Sequence, residues 1–379
     1  MYKIISLFLF FSVGIYSETI IRPFYAQRGG IYVFEIGNRF PNLSGFRAGS
    51  RISFDRDYRY GGIELLHTKG PWEFRGSFAT TGWYVNTGTA RDEDFSLFTV
   101  SQERATHIAS REMAYYDTPY VFSGTRNFAD GIGRSSMSEY GFQGFARYHW
   151  NQNSSIFSGN SGLFLSAGLS YTYNKYIFYD VQQWVATTPV FYNRIGFGLT
   201  FSNSMLMSYW GAGYRFRWEN FYFEPSFFYQ IGRNQAHDHH VQRFITFKSL
   251  VLGEGFLLAL EAGWKWNEHW SLFVRHNQNR IFSRGGFIAR GGTTPEDLLA
   301  NFAGNFPAQI NIKDWSVELG VGRKLDFETA KLDSTKEAEK KDSLSPSNSP
   351  DSSNTNTPNS TDSAPAQKSP AQPEKNSEP

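Results

Sequence analysis

Between Trp210 and Gln230 the chain repeats with a period of two across a single short turn, and this pattern limits the fold more than any other feature. Phe221, Phe223, Pro225, Phe227 and Tyr229 fall on one face of an extended strand, and Tyr222, Glu224, Ser226, Phe228 and Gln230 fall on the other. The preceding stretch sets Trp210, Ala212, Tyr214, Phe216 and Trp218 against Arg215 and Arg217. Only Glu219-Asn220 lies between the two stretches, the length of a tight hairpin. A continuous apolar row opposite a charged row suits a wall with lipid on one side and a polar lumen on the other.

The pattern recurs around Lys69-Gly70-Pro71 and around Asn267-Glu268-His269. It returns in the last strand, where Trp315, Val317, Leu319 and Val321 oppose Asp314, Ser316, Glu318 and Gly320. Roughly ten such segments, each near the length a tilted strand needs to cross a bilayer, lie between residues 18 and 327. Long polar stretches near 86–136, 181–202, 235–250 and 284–310 alternate with the short turns. The expected fold is all-β: a ten-stranded antiparallel transmembrane barrel with long extracellular loops.

Both ends of the chain differ from this middle. Lys3 and the apolar run Ile4 to Val13 lead to Ser17, a signal-peptide pattern over residues 1–17 that is too short for a stable spanning helix. Residues 328–379 are rich in Ser, Pro, Asn, Lys and Glu, cannot supply a core, and are expected to be a disordered tail. With an even number of strands that tail is periplasmic. The chain has no cysteine, which excludes disulfides, thiolate chemistry and a lipoprotein anchor. A net charge of +2 gives no reason to expect nucleic acid as a partner. A mean hydropathy of −0.44 excludes a helical membrane bundle. Aromatic residues make up 18% of the chain, a surplus that barrels use as girdles at the two membrane interfaces.

Two clusters near strand ends carry chemistry: Asp92-Glu93-Asp94 and His237-Asp238-His239-His240. If the alternation of Phe221 to Tyr229 continues, Asn234, Ala236, Asp238, His240 and Gln242 face inward, so Asp238 and His240 are neighbours on one face. A carboxylate beside an imidazole fixes its tautomer and stabilises the imidazolium, which equips the pair as a general base toward water. Asp92 and Asp94, also two apart, suit the opposite side of that water. Bland readings stand beside these. Aspartates are common in loops for turn and solvation reasons, and imidazoles with a carboxylate also suit zinc or copper. Strand alternation opposes the metal reading, because it sends His237 and His239 to the other face.

The stretch from Ser208 to Gln230, then Asp238-His239-His240 and Arg243-Phe244-Ile245-Thr246-Phe247-Lys248, resembles the omptin family of outer-membrane proteases. Gly82-Trp83 and Asp92-Glu93-Asp94-Phe95 resemble that family's Gly-Trp strand end and its paired-aspartate motif. The resemblance covers most of 30–327, is best in 208–280, and agrees with a ten-stranded barrel carrying five outer loops. It implies Asp238 and His240 as a water-activating dyad and Asp92 and Asp94 as the aspartate pair opposite, with no metal or other cofactor. It also implies a requirement for lipopolysaccharide and cleavage at basic residues. The acidic position two before the dyad aspartate is Ala236 here, and His239 replaces the family's Glu within the triplet. Glu35 is the acidic residue nearest a second family position at the end of the first strand, where Gly37-Asn38-Arg39 stands. Arg215 and Arg217 are the arginines considered for a lipopolysaccharide site, with a lumenal position as the alternative.

The expected function is therefore an outer-membrane endopeptidase acting on peptides or proteins at the cell surface, its site facing the exterior. The alternative is an inactive barrel serving as a surface adhesin or a narrow porin.

Overall fold

The computed structural model describes residues 17–40, 46–95, 127–150, 154–185, 188–193, 197–241, 244–293, 295–302 and 306–325. The chain divides into two units, Met1–Phe327 and Glu328–Pro379, and every described residue belongs to the first. Residues 1–16 of the expected signal peptide and all of the expected tail lie outside the described residues.

The elements are β1 (Ser17–Phe40), β2 (Phe46–Asp55), β3 (Tyr58–Lys69), β4 (Trp72–Thr80), β5 (Val85–Phe95), β6 (Asn127–His149) and β7 (Gly162–Val185). They continue as β8 (Thr188–Asn193), β9 (Phe197–Trp218), β10 (Phe221–His240), β11 (Ile245–Lys265), β12 (Trp270–Gly291), α1 (Pro295–Phe302) and β13 (Phe306–Leu325). Thirteen strands form one antiparallel sheet, and pairing of β1 with β13 closes it, which removes both edges. β1 runs beside β3 from Ser17 to Arg28 and beside β2 from Ile31 to Phe40, so β2 and β3 are halves of one stave interrupted at Arg56-Asp57. β4 and β5 likewise share β6 as partner and are halves of another stave, interrupted at residues 81–84. β8 is a short strand paired to the top of β7. Counted as staves, the barrel has the ten of the sequence pattern; the interruptions and β8 account for the larger strand count.

The short turns sit where expected, at Gly70-Pro71, Glu219-Asn220 and residues 266–269. Glu219 takes a left-handed φ of 51°, as a tight two-residue turn requires. The opposite end differs from expectation. The stretch 235–250 is not all loop: β10 runs to His240 and β11 begins at Ile245. β7, β9 and β12 also enter the stretches read as loops.

The exterior carries an apolar belt. Trp210, Phe227, Leu258, Val274 and Leu319 are exposed on it, as their alternation required. Aromatic side chains mark its lower border, where Trp72 packs 5.1 Å from Tyr148 and Trp264 stacks 6.4 Å from Trp266. On β10 the belt ends at Ile231, beyond which the outward residues Arg233, Gln235, His237 and His239 are polar. Strands of 20 to 24 residues exceed the roughly ten needed to cross a bilayer, so each stave rises well past the belt.

The interior is filled in layers. Toward the turn end, Arg22, Arg75, Arg147, Arg215 and Arg275 meet Glu64, Glu73, Glu224, Glu261 and Glu318. Arg22 reaches Glu64 and Glu261 at 2.7 Å each, and Arg215 reaches Glu73 at 2.6 Å. Below this network Ser154–Phe157 fold into the turn end of the barrel. There Ser154 donates to the carbonyls of Gly70 and Trp72, and Ile156 and Phe157 pack with Ile20, Leu66 and Tyr222. Arg215 and Arg217 donate to carbonyls of this plug, so both face the lumen and not the membrane surface. Above the network lies a lumenal cavity of ≈170 Å³, bordered by Arg28, Arg56, Glu139 and Asp314. Above that, Tyr32, Phe34, Phe54, Tyr176 and Phe201 pack ring to ring, with Phe54 stacked 4.4 Å from Tyr176.

A buried ion network of this kind tolerates no unpaired member. Replacing Glu73 by Ala leaves Arg75, Arg147 and Arg215 short of a carboxylate and is expected to cost about 3–5 kcal/mol. Urea unfolding of the refolded barrel in detergent measures this; a loss below about 1 kcal/mol would contradict the pairing.

Candidate active site at the barrel rim

β10 keeps its alternation past the belt. Asn234, Ala236 and Asp238 are all buried on the inward face, and Asp238 stands seven residues above Ile231, roughly 23 Å along the strand. His240 follows on the same face, its side chain 18% exposed against 1% for Asp238. Nε2 of His240 lies 3.0 Å from Oδ2 of Asp238, within hydrogen-bond reach. Oδ1 of Asp238 is buried and has no hydrogen-bond partner among the described residues, so this carboxylate keeps an acceptor available beside the imidazole. Phe247, which pairs with Asp238 across the β10–β11 ladder, sets its ring edge-on to His240 at 5.6 Å. His237 and His239 lie on the other face, as alternation predicted, and His237 contacts Gln235 at 3.3 Å. Among the described residues no group of three or more His, Cys, Asp or Glu is placed to hold a metal ion.

The second cluster reaches the lumen through a bulge. In β5, Thr87 is buried and bonded to Ser135 on the inward face of β6. The register against β6 then shifts at Gly88, a position with φ of 104° that favours glycine. The inserted residue changes the parity, so Ala90 and Asp92, not Arg91 and Glu93, continue the inward row. Asp92 pairs with the buried Ile52 of β2 and accepts a hydrogen bond from Ser50 at 3.0 Å. Asp94 lies opposite Ser50 in the ladder, and its side chain is outside the described residues. Glu93 turns to the outer face beside Arg51, at 3.7 Å. Glu35 does the same, 3.2 Å from Arg51, so the acidic residue nearest the end of the first strand does not enter the lumen.

The two clusters sit on walls that meet through the aromatic layer. Phe201 pairs with Asp238, and Phe34 pairs with Ile52, the neighbour of Asp92. The rings of Phe34 and Phe201 are 5.3 Å apart, so the walls that carry Asp92 and Asp238 touch through this layer. Phe201 and Phe247 had no assigned role in the sequence. The pairing of β10 with β11 is what places Phe247 opposite Asp238.

The closed sheet, the apolar belt and the filled lumen define an outer-membrane β-barrel. The chain belongs to the family described as "Putative porin", whose model matches residues 39–319. Comparison with curated proteins gave no match. Among solved structures, the outer membrane protease OmpT of Escherichia coli aligns with a TM-score of 0.60 at 13% identity, covering 81% of this chain and 97% of that one. The translocator domain of the autotransporter NalP from Neisseria meningitidis aligns at 0.33 and 10% identity, covering 85% and 93%. The outer membrane protein OprG from Pseudomonas aeruginosa aligns at 0.33 and 10% identity, covering 82% and 97%. At such identities the likeness to OmpT is one of fold.

The packing of Phe201 against Phe34 joins the two walls inside the barrel. Truncating Phe201 to Ala is expected to destabilise the barrel by about 3–5 kcal/mol, read as a lowered urea midpoint. An unchanged midpoint would mean that the rings do not pack as a layer.

Proposed function

We propose that this chain is an outer-membrane endopeptidase in which Asp238 and His240 activate water for attack on a peptide bond. The observation that carries this reading is the 3.0 Å contact between His240 and Asp238 on the inward face of the rim, above a lumen filled by side chains. The imidazole takes the proton of the attacking water, and the imidazolium then donates to the Asp238 carboxylate through Nε2. Asp92 and Asp94 stand on the facing wall and hold the other side of the water or receive a proton from it. In this reading the rim faces the cell exterior, the tail is periplasmic, and the substrates are peptides or proteins at the cell surface. Lipopolysaccharide is the lipid partner that supports activity, and no metal takes part.

A second reading follows from the family description, which names a porin. The side-chain layers weigh against it, since a cavity of ≈170 Å³ holds only a few waters and is bordered above and below by packed groups.

His240→Ala and Asp238→Ala are each expected to lower cleavage of a peptide library by roughly 10²- to 10⁴-fold while the barrel still folds in lipopolysaccharide-containing micelles. Chelators are expected to leave the wild-type rate unchanged. Equal cleavage by wild type and both variants would remove the dyad from the reaction.

A further inference from the structure

Resting on the peptidase reading above, we infer that Phe247 is a positioning residue: its ring, backed by Phe287, holds the His240 imidazole in the orientation that keeps Nε2 on Asp238. The contact between Nε2 and Oδ2, at 3.0 Å, exists in only one orientation of the imidazole. A half-turn about Cβ–Cγ puts Cε1 where Nε2 stands and breaks it. The χ2 torsion of a histidine is broad and roughly two-fold, so the side chain's own torsion does little to oppose that turn. His240 is the last residue of β10, and its side chain is 18% exposed against 1% for Asp238. The wall that encloses the carboxylate therefore does not enclose the imidazole, and the ring needs a neighbour to fix it.

Phe247 is that neighbour. It stands opposite Asp238 in the β10–β11 ladder, and its ring meets the imidazole at 84° with centroids 5.6 Å apart. Edge-to-face contact is a favoured arrangement of aromatic rings, so turning the imidazole away forfeits packing as well as the bond to Asp238. Phe247 is itself held from behind. Its ring lies 5.8 Å from that of Phe287, at 66°, and Phe287 belongs to the buried core cluster. Its backbone is paired on both sides, to Asp238 of β10 and to Ala289 of β12. A ring carried by the middle strand of three is placed more exactly than one on a loop. A phenyl ring neither takes nor gives a proton, so Phe247 acts through His240 alone.

The test measures kcat and KM of the full-length barrel, refolded with lipopolysaccharide, on a peptide that the wild type cleaves, together with the NMR signal of the His240 ring in the same micelles. Phe247→Ala is expected to lower kcat by roughly tenfold to a hundredfold with KM unchanged, because orientation is lost and no substrate contact is removed. Phe247→Leu keeps most of the apolar volume, guards against misfolding of the first variant, and is expected to lose kcat in the same direction. Phe247→Tyr keeps the ring and is expected to retain the wild-type kcat. The His240 ring signal is expected to be single and sharp in the wild type and exchange-broadened in Phe247→Ala. Unchanged kcat in the Ala and Leu variants, or a raised KM at unchanged kcat, would overturn the inference and leave the peptidase reading standing. No cleavage of any library peptide by the folded wild type would overturn the peptidase reading and the inference together.

Discussion

Closing a sheet into a narrow cylinder forces every inward side chain into a shared space, and here that space is held by charges that must pair. Five arginines and five glutamates meet inside the turn end of the barrel. Each comes from a strand whose outward neighbours face the belt, so the alternation that makes the wall also delivers the charges. Bringing ions out of water is costly, and the network is tolerable because its members bridge several partners at hydrogen-bond distance. Arg75, for instance, reaches Glu73, Glu224 and Glu261 from one guanidinium. The plug at Ser154–Phe157 completes this end, because its carbonyls accept from Arg215 and Arg217.

The upper half follows from the same economy of space. Rings replace charges at the level of Tyr32, Phe54 and Phe201, and they close the lumen beneath the rim. The staves continue above this layer with an inward row that carries Asp238 and His240 on a hydrogen-bonded wall. Strands position side chains more exactly than loops do, which matters for a pair whose usefulness depends on a 3.0 Å contact. The 3.0 Å pair of Asp238 and His240 thus stands at the rim, with the filled interior as its foundation.

Much of this was legible in the sequence, for reasons that differ from residue to residue. The inward placement of Asp238 and His240 followed from extending the period of two beyond Tyr229, and it succeeded because β10 continues unbroken to His240. The same alternation correctly separated His237 and His239 from the dyad. The stretch 235–250 was misread as a loop because polar outward residues above the belt resemble loop composition, whereas the backbone remains in the sheet. The orientation of Asp92 was not legible from alternation, since it depends on the bulge at Gly88. The plug had no signal at all. Ser154 to Phe157 carry no periodicity, and their burial results from carbonyls meeting arginines that arrive from β9.

A lumen sealed by its own side chains leaves the rim as the place for function. Single-channel recording of the full-length protein in planar bilayers tests this most directly. The account predicts no steady unitary conductance, because the ring layer, the ion network and the plug each block the path. Stable, ohmic current steps from the wild-type barrel would contradict it and would favour a channel.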